Sequence, residues 1–413
     1  MTTKRKDKFI FVIGLLSLIK VRYLGTFALA EIIAFVFLPL IPWKKFSENQ
    51  DMRRLLKYSL VWLAGVIIAD LYNGSTITNS LKGSFNVIFL ILLIPFIYWI
   101  LYDNPQRILY FYAGHAVSSL LSFYIFESYD DVFLYEVWRT YAWYPVFTFV
   151  AVYLYFWGKK KYSYCVIELF AIWSLFYHSR NIFLTVSIAN VLLIYCSRIQ
   201  KYNYEENLLN YRRKIPALLV VLLIGGFVVD YSYEYAAKNG YLGENAYQKY
   251  IMQKYSEIGL ASGRADFLQS LDAIKNNPIF GYGSYALDES GFRDKWRQEH
   301  GIDPLNNEKV EIMPGHSYLL GAWVYSGLLG AIFWFFIISI IFKSLRYGYV
   351  IKDSRLLGVV LFMLIQMIWN ILFSPFANRM PFLMLIVLLI LLNTNNIQYK
   401  FIYDKNFNYR PLI

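Results

Sequence analysis

Arg180, Arg264, Arg379 and His316 are the side chains whose placement suggests chemistry. Arg180 follows His178-Ser179 at a tight break between two apolar runs. Arg264 follows Ser262-Gly263 in a long polar segment, and Arg379 follows Pro375-Phe376-Ala377-Asn378 between the last two apolar runs. A guanidinium stays charged and grips phosphate through two parallel N–H donors, so arginines that converge suit a pyrophosphate. The helix predicted to open at Ser262 adds unpaired N–H groups and partial positive charge, which makes Ser262 and Arg264 an anion cradle. His316 closes the polar segment in Gly315-His316-Ser317-Tyr318. Its imidazole titrates near working pH and could take a proton from a hydroxyl. His178 is close enough in sequence to Arg180 to join the same site. The plainer alternatives are that each arginine pairs with a carboxylate or snorkels to lipid headgroups, and that His316 is a helix N-cap or a hydrogen-bonded strut.

The other candidates are fewer. Asp70, in Asp70-Leu71-Tyr72-Asn73-Gly74, lies at the end of an apolar helix, where an ionisable group is costly and is read as functional. Trp323 lies on the helical face led by His316, together with Leu320, Gly327 and Gly330, and the two glycines are expected to allow close helix approach. His115, inside an apolar helix, is read as a core or interfacial histidine, and His300, beside Arg297, Gln298 and Glu299, as solvated. Asp130-Asp131, near Glu127, offers oxygen ligands of the kind a divalent cation needs, but nothing supplies a third and fourth ligand. No metal or other cofactor is expected, and no P-loop, Rossmann glycine fingerprint or zinc spacing occurs.

These residues must be positioned by helices in a membrane. The chain is 58% hydrophobic and 20% aromatic, with 16% charged residues. Apolar runs long enough to cross a bilayer recur from end to end, and Trp and Tyr crowd their ends. The pattern predicts an all-α polytopic membrane protein of about twelve transmembrane helices. They fall near 9–20, 24–42, 55–72, 83–101, 107–125, 141–157, 162–178, 180–196, 215–231, 317–342, 355–374 and 379–394. Residues 1–231 carry nine of them, 232–316 form one large loop between helices 9 and 10, and 317–413 carry the last three and a tail. The N-terminal apolar stretch resembles a signal peptide but is read as uncleaved, because the pattern runs on through Ile41.

The net charge of +12 does not point to nucleic acid. Basic residues cluster in short connections, such as Lys4-Arg5-Lys6, Lys159-Lys160-Lys161 and Arg212-Arg213-Lys214, whereas the large loop holds nine Lys/Arg against twelve Asp/Glu. That asymmetry sets the basic clusters in the cytoplasm and the loop outside. Helix parity, counted from a cytoplasmic N-terminus, gives the same answer. Only Cys165 and Cys196 occur, neither in the loop, so no disulfide framework exists. Within the loop a helix is expected from Ser262 to Lys275, stopped by Asn276-Asn277-Pro278, with a turn at Gly281-Tyr282-Gly283-Ser284.

Several of these motifs resemble the bacterial O-antigen ligase and O-antigen polysaccharide polymerase superfamily. Ser262-Gly263-Arg264 followed by Asn277-Pro278-Ile279-Phe280-Gly281-Tyr282-Gly283 resembles its loop signature. His316-Ser317-Tyr318-Leu319-Leu320 through Gly327-Leu328-Leu329-Gly330 resembles the histidine–helix signature that follows. Ser179-Arg180 and Asp70-Leu71-Tyr72-Asn73 sit where the family carries similar short motifs, and the likeness covers most of the chain. It implies a glycosyltransferase of C-type architecture in the bacterial inner membrane, active at the periplasmic face. Its donor would be a glycan on undecaprenyl pyrophosphate and its acceptor another lipid-linked glycan or lipid A–core, with membrane lipids and a chain-length regulator as further partners. Ser317 after His316, and Trp323, resemble polymerases more than ligases. The chemistry of the residues and the resemblance together assign catalysis to His316, Arg264 and Arg180, and substrate binding to Arg379, Asp70, His178, Ser262 and Trp323. A flippase for lipid-linked sugars is the rival from another class, but it should carry an internal repeat, small loops and charge along a central cavity.

Overall fold

A computed structural model of the chain describes residues 3–17, 19–23, 25–104, 106–125, 162–176, 180–201, 224–225, 228, 231–243, 247, 265–299, 311–315, 317–347 and 354–374. The regular structure among the described residues is helical apart from one short hairpin and an isolated bridge. Helix α1 (Thr3–Leu16) leads into strands β1 (Lys20–Tyr23) and β2 (Gly25–Ala28), which pair antiparallel with Val21 opposite Phe27 and Arg22 opposite Thr26. Helices α2 (Leu29–Phe37) and α3 (Trp43–Glu48) are short. They are followed by α4 (Gln50–Tyr72), α5 (Ile77–Leu101), α6 (Arg107–Ile125), α7 (Tyr162–Phe176) and α8 (Arg180–Lys201). In the large loop come α9 (Ala265–Asn276) and α10 (Phe292–Glu299), and after it α11 (Tyr318–Tyr347) and α12 (Ser354–Phe373).

By length and composition alone, three segments, Gln50–Tyr72, Ile77–Leu101 and Tyr318–Phe342, are apolar enough to cross a membrane, the last of them interrupted at Gly327. The apolar helices are thus compatible with insertion into a bilayer. Local capping starts two of them. The Asn49 side chain accepts from the Asp51 and Met52 amides at 3.1 Å, and Thr76 Oγ1 accepts from the Asn79 amide at 3.3 Å. The hairpin is a departure from the sequence reading, which continued a helix from 24 to 42. Val21, Tyr23, Thr26 and Phe27 are β-branched or aromatic, and such side chains favour a pleated strand.

Helix α1 packs on α6, α4 on both α5 and α11, α7 on α8, and α12 on α8 and α11. An ion network locks one end of the α1–α6 pair. Fully buried Arg107 donates from Nε to Asp7 at 2.7 Å and from Nη1 to Asp103, while Lys6 Nζ reaches Asp103 at 3.4 Å. Burial acts to raise the Asp103 carboxyl, but the Arg107 hydrogen bond and the Lys6 charge hold it below its ordinary value. His115 is buried, with its Nδ1 2.7 Å from Ser17 Oγ and its ring stacked on Phe111, as expected of a core histidine.

The predicted helices at 141–157 and 379–394 lie outside the described residues, as do most of 215–231 and Glu127, Asp130, Asp131 and His300.

Candidate functional site at the seat of the large loop

The described residues 265–299 and 311–315 of the large loop are folded and anchored. Helix α9 carries Asp266 in its first turn and Lys275 in its last, which suits the helix dipole, and it ends at Asn276 before Pro278. The chain then turns. Gly281 takes φ +69, and a Cβ there would come within 2.6 Å of the Val324 carbonyl. The Asn277 side chain donates to the Gly281 carbonyl, which also accepts from Asn73 Nδ2 at 3.1 Å. The Tyr282 amide donates to Val324 O at 2.7 Å, and the Tyr282 hydroxyl, pushed up by burial and so held protonated, donates to Ala273 O at 3.2 Å. Tyr72 stacks on Phe280 with ring centroids 4.4 Å apart. The turn is therefore wedged between the C-terminal end of α4 and the first part of α11.

Asp70 fastens this wedge. It is 5% exposed, and its carboxylate accepts from the Ser284 amide at 2.6 Å and the Ser284 hydroxyl at 2.9 Å. Both oxygens are thus engaged by the loop. Trp323 makes a second tie, donating from Nε1 to Pro278 O at 2.7 Å. Asp70→Ala should leave a buried amide and hydroxyl without acceptors and cost about 2–3 kcal/mol. Asp70→Asn keeps an acceptor for the amide and an amide group that can donate to the hydroxyl, and should cost less than about 1 kcal/mol. Denaturant unfolding of both variants in detergent measures this. Equal losses in the two would mean that the negative charge, not the pair of hydrogen bonds, holds the loop.

Helix α11 is not one straight span. At Gly327 the backbone takes φ 65, ψ −160, a conformation closed to other residues. The rings of Tyr318 and Trp334 lie 5.2 Å apart, and those of Trp323 and Phe335 5.9 Å. In a continuous helix residues sixteen and twelve positions apart would be separated by about 24 and 18 Å. The chain therefore doubles back at Gly327, from a short limb (318–326) to a long one (328–347). The long limb runs antiparallel to α4. Gly65 lies against Leu329, Trp62 against Phe333 and Trp334, and Tyr58 stacks on Phe336 at 4.2 Å. The expectation that Gly327 serves helix approach is corrected here. It serves the reversal, and the Leu328 amide beside it donates to Ile279 O at 3.0 Å, so the loop turn sits in the crook.

The chain returns to α11 along a defined path. Leu287 and Ile312 form an antiparallel bridge, the Met313 amide donates to Ala286 O at 2.9 Å, and the Tyr325 hydroxyl donates to Met313 O at 2.7 Å. Arg293 joins α10 to both flanks, with Nη2 2.5 Å from Asp266 and Nε 3.0 Å from Glu311. Asp288 caps α10 by accepting from the Phe292 and Arg293 amides at 2.8 and 2.7 Å. Ser317 caps α11. Its Oγ accepts from the Leu320 amide at 2.8 Å and donates to Ile371 O at 3.0 Å, tying the helix start to α12. The capping role weighed for His316 belongs to its neighbour.

Of the candidate site residues, Asp70 and Trp323 are described in full and meet at the loop turn from opposite sides. Arg180 is the first residue of α8. His316, Arg264, Ser262, His178 and Arg379 lie outside the described residues. Gly315 and Ser317 flank His316 in the chain, and Ala265, which follows Arg264, opens α9, the loop helix that packs on α11. Ser284 and Arg293 were not legible as contributors. Ser284 reads as one more turn residue after two glycines, and Arg293 as one charge on a polar helix. Among the described residues no cluster of His, Cys, Asp or Glu is suited to a metal.

No family model and no curated protein matches this chain.

Proposed function

We propose that the chain is a membrane glycosyltransferase of C-type architecture that polymerises undecaprenyl-pyrophosphate-linked oligosaccharide repeats at the periplasmic face of the bacterial inner membrane. In this reading about twelve helices cross the membrane and the large loop is periplasmic, with the basic clusters in the cytoplasm. What carries the reading is the seat of the loop. A folded extramembrane segment is fastened into the crook of a helix that reverses at Gly327, and that helix begins at Tyr318, two residues after His316.

The leaving group is a pyrophosphate, already a good anion, so it needs stabilisation more than protonation. Arg180 and Arg264, with Arg379, would neutralise it, and Ser262 and His178 would complete its surroundings. His316 would take the proton of the acceptor hydroxyl as that oxygen bonds to the anomeric carbon and the bond to pyrophosphate breaks. Displacement in one step inverts the anomeric configuration and releases undecaprenyl pyrophosphate.

The test is glycan analysis of a strain lacking the gene, complemented with the normal chain or with Arg264→Ala. Loss of chains beyond one repeat, restored by the normal chain and not by the variant, is the expected result. Long chains that persist on the carrier lipid but are absent from lipid A–core would make it a ligase. An unchanged glycan would overturn the assignment.

A further inference from the structure

Helix α5 starts in a way that the rest of it does not explain. From Val87 onward it is aliphatic and aromatic, but its opening turns hold Thr78, Asn79, Ser80, Lys82, Ser84 and Asn86. These turns do not stand clear of α4. A Cβ on Gly83 would lie 3.4 Å from a Val66 methyl and 2.0 Å from Ser284 Oγ. Around that level α4 exposes Ile67, Ile68 and Leu71, the surface of a helix that meets lipid. Polar side chains at such a depth are costly unless they line a wet cavity or meet a polar ligand.

Asn79, Lys82 and Asn86 fall on one helical face. Tyr285 lies along it. Its carbonyl accepts from Asn79 Nδ2 at 3.5 Å, and its hydroxyl accepts from Asn86 Nδ2 at 3.1 Å. Tyr285 is the one non-glycine residue with positive φ among the described residues, at +52. A bulky residue in that conformation is strained, and such strain clusters at ligand-binding positions. Here it lays the tyrosine against α5 while leaving it 38% exposed. Lys82 is exposed and has no ion-pair partner among the described residues.

We propose that this face is a subsite for an acidic saccharide. Lys82 meets a sugar carboxylate, the Asn79 and Asn86 amides, each both donor and acceptor, hydrogen-bond ring hydroxyls, and Tyr285 supplies an apolar face for a pyranose. The subsite rests on the glycosyltransferase reading for its purpose, since it makes the preferred repeat a uronate-bearing one. The binding itself can be measured without turnover.

The experiment uses the purified full chain in phosphatidylcholine nanodiscs, titrated with a galacturonate tetrasaccharide and with maltotetraose. The acidic sugar should bind saturably and more tightly than the neutral one. Lys82→Gln should weaken it about fivefold, the worth of one exposed charge contact. Lys238→Gln, the same charge change at an exposed position in the large loop, should leave it unchanged, and Asn86→Ala should weaken both sugars. Equal loss in the two lysine variants, or equal affinity for the two sugars, would overturn the subsite. So would Lys82-dependent retention of phosphatidylglycerol without sugar binding, which would assign the face to lipid headgroups. A failed titration beside a positive deletion strain would remove the subsite and leave the enzyme standing. The reverse would show a saccharide-binding protein of another kind.

Discussion

Gly327→Ala is expected to cost at least about 3 kcal/mol of stability and to loosen the large loop. Two effects add. An L-residue at φ 65, ψ −160 is strained wherever it stands, and the new Cβ would lie 2.0 Å from the Ile279 carbonyl. The carbonyl cannot simply withdraw, because it accepts the Leu328 amide and belongs to the turn held by Asn73 and Asp70. Gly74 is the control. It also takes positive φ, at +63, but nothing lies within 4 Å of an added Cβ, so Gly74→Ala should show the strain alone, about 1 kcal/mol. Denaturant unfolding in detergent gives the difference, and limited proteolysis of the loop gives its structural consequence. Similar stability in the two variants would mean that the reversal at Gly327 is not a constraint on the fold.

That reversal is also the clearest limit on what the sequence told. Apolar runs and their breaks placed several helix ends closely, although α1, α4 and α5 begin five or six residues before the predicted starts. The predicted 107–125 coincides with α6, 355–374 with α12 to within a residue at each end, and the loop helix stops where Asn276-Asn277-Pro278 says it must. Hydropathy cannot see a bend between two apolar limbs, however. The predicted span 317–342 runs the two limbs together, and a glycine inside such a run is common enough to pass as a packing residue. The hairpin at 20–28 escaped for a related reason, since β-branched and aromatic residues raise the same apolar signal in a strand as in a helix. For the site, an ionisable residue at a helix end was visible as Asp70. Its partner was not, because Ser284 lies 214 positions away and nothing in a serine announces a buried contact.

His316 carries the largest expected effect on rate. If it takes the acceptor proton, His316→Ala should lower turnover by about 10²–10⁴, the range for a positioned general base. The fold should scarcely change. Ser317 already caps α11 through the Leu320 amide and ties it to Ile371, so removing the neighbouring imidazole leaves the helix start satisfied. A large activity loss with little change in unfolding midpoint is thus the signature of chemistry rather than support. Donor binding should survive if the arginines and not the imidazole hold the pyrophosphate, as proposed. The residual rate should also lose the limb of the pH profile near the ordinary histidine value of about 6.5. On that limb activity rises with pH as the imidazole loses its proton and becomes able to accept one. His316→Gln separates the two roles, since glutamine can hydrogen-bond but cannot take a proton at neutral pH. Turnover by purified protein with a lipid-pyrophosphate donor decides between them. Near-normal turnover in the glutamine variant, with the pH profile intact, would end the general-base role, and the loop seat and its ties to α4 and α11 would remain.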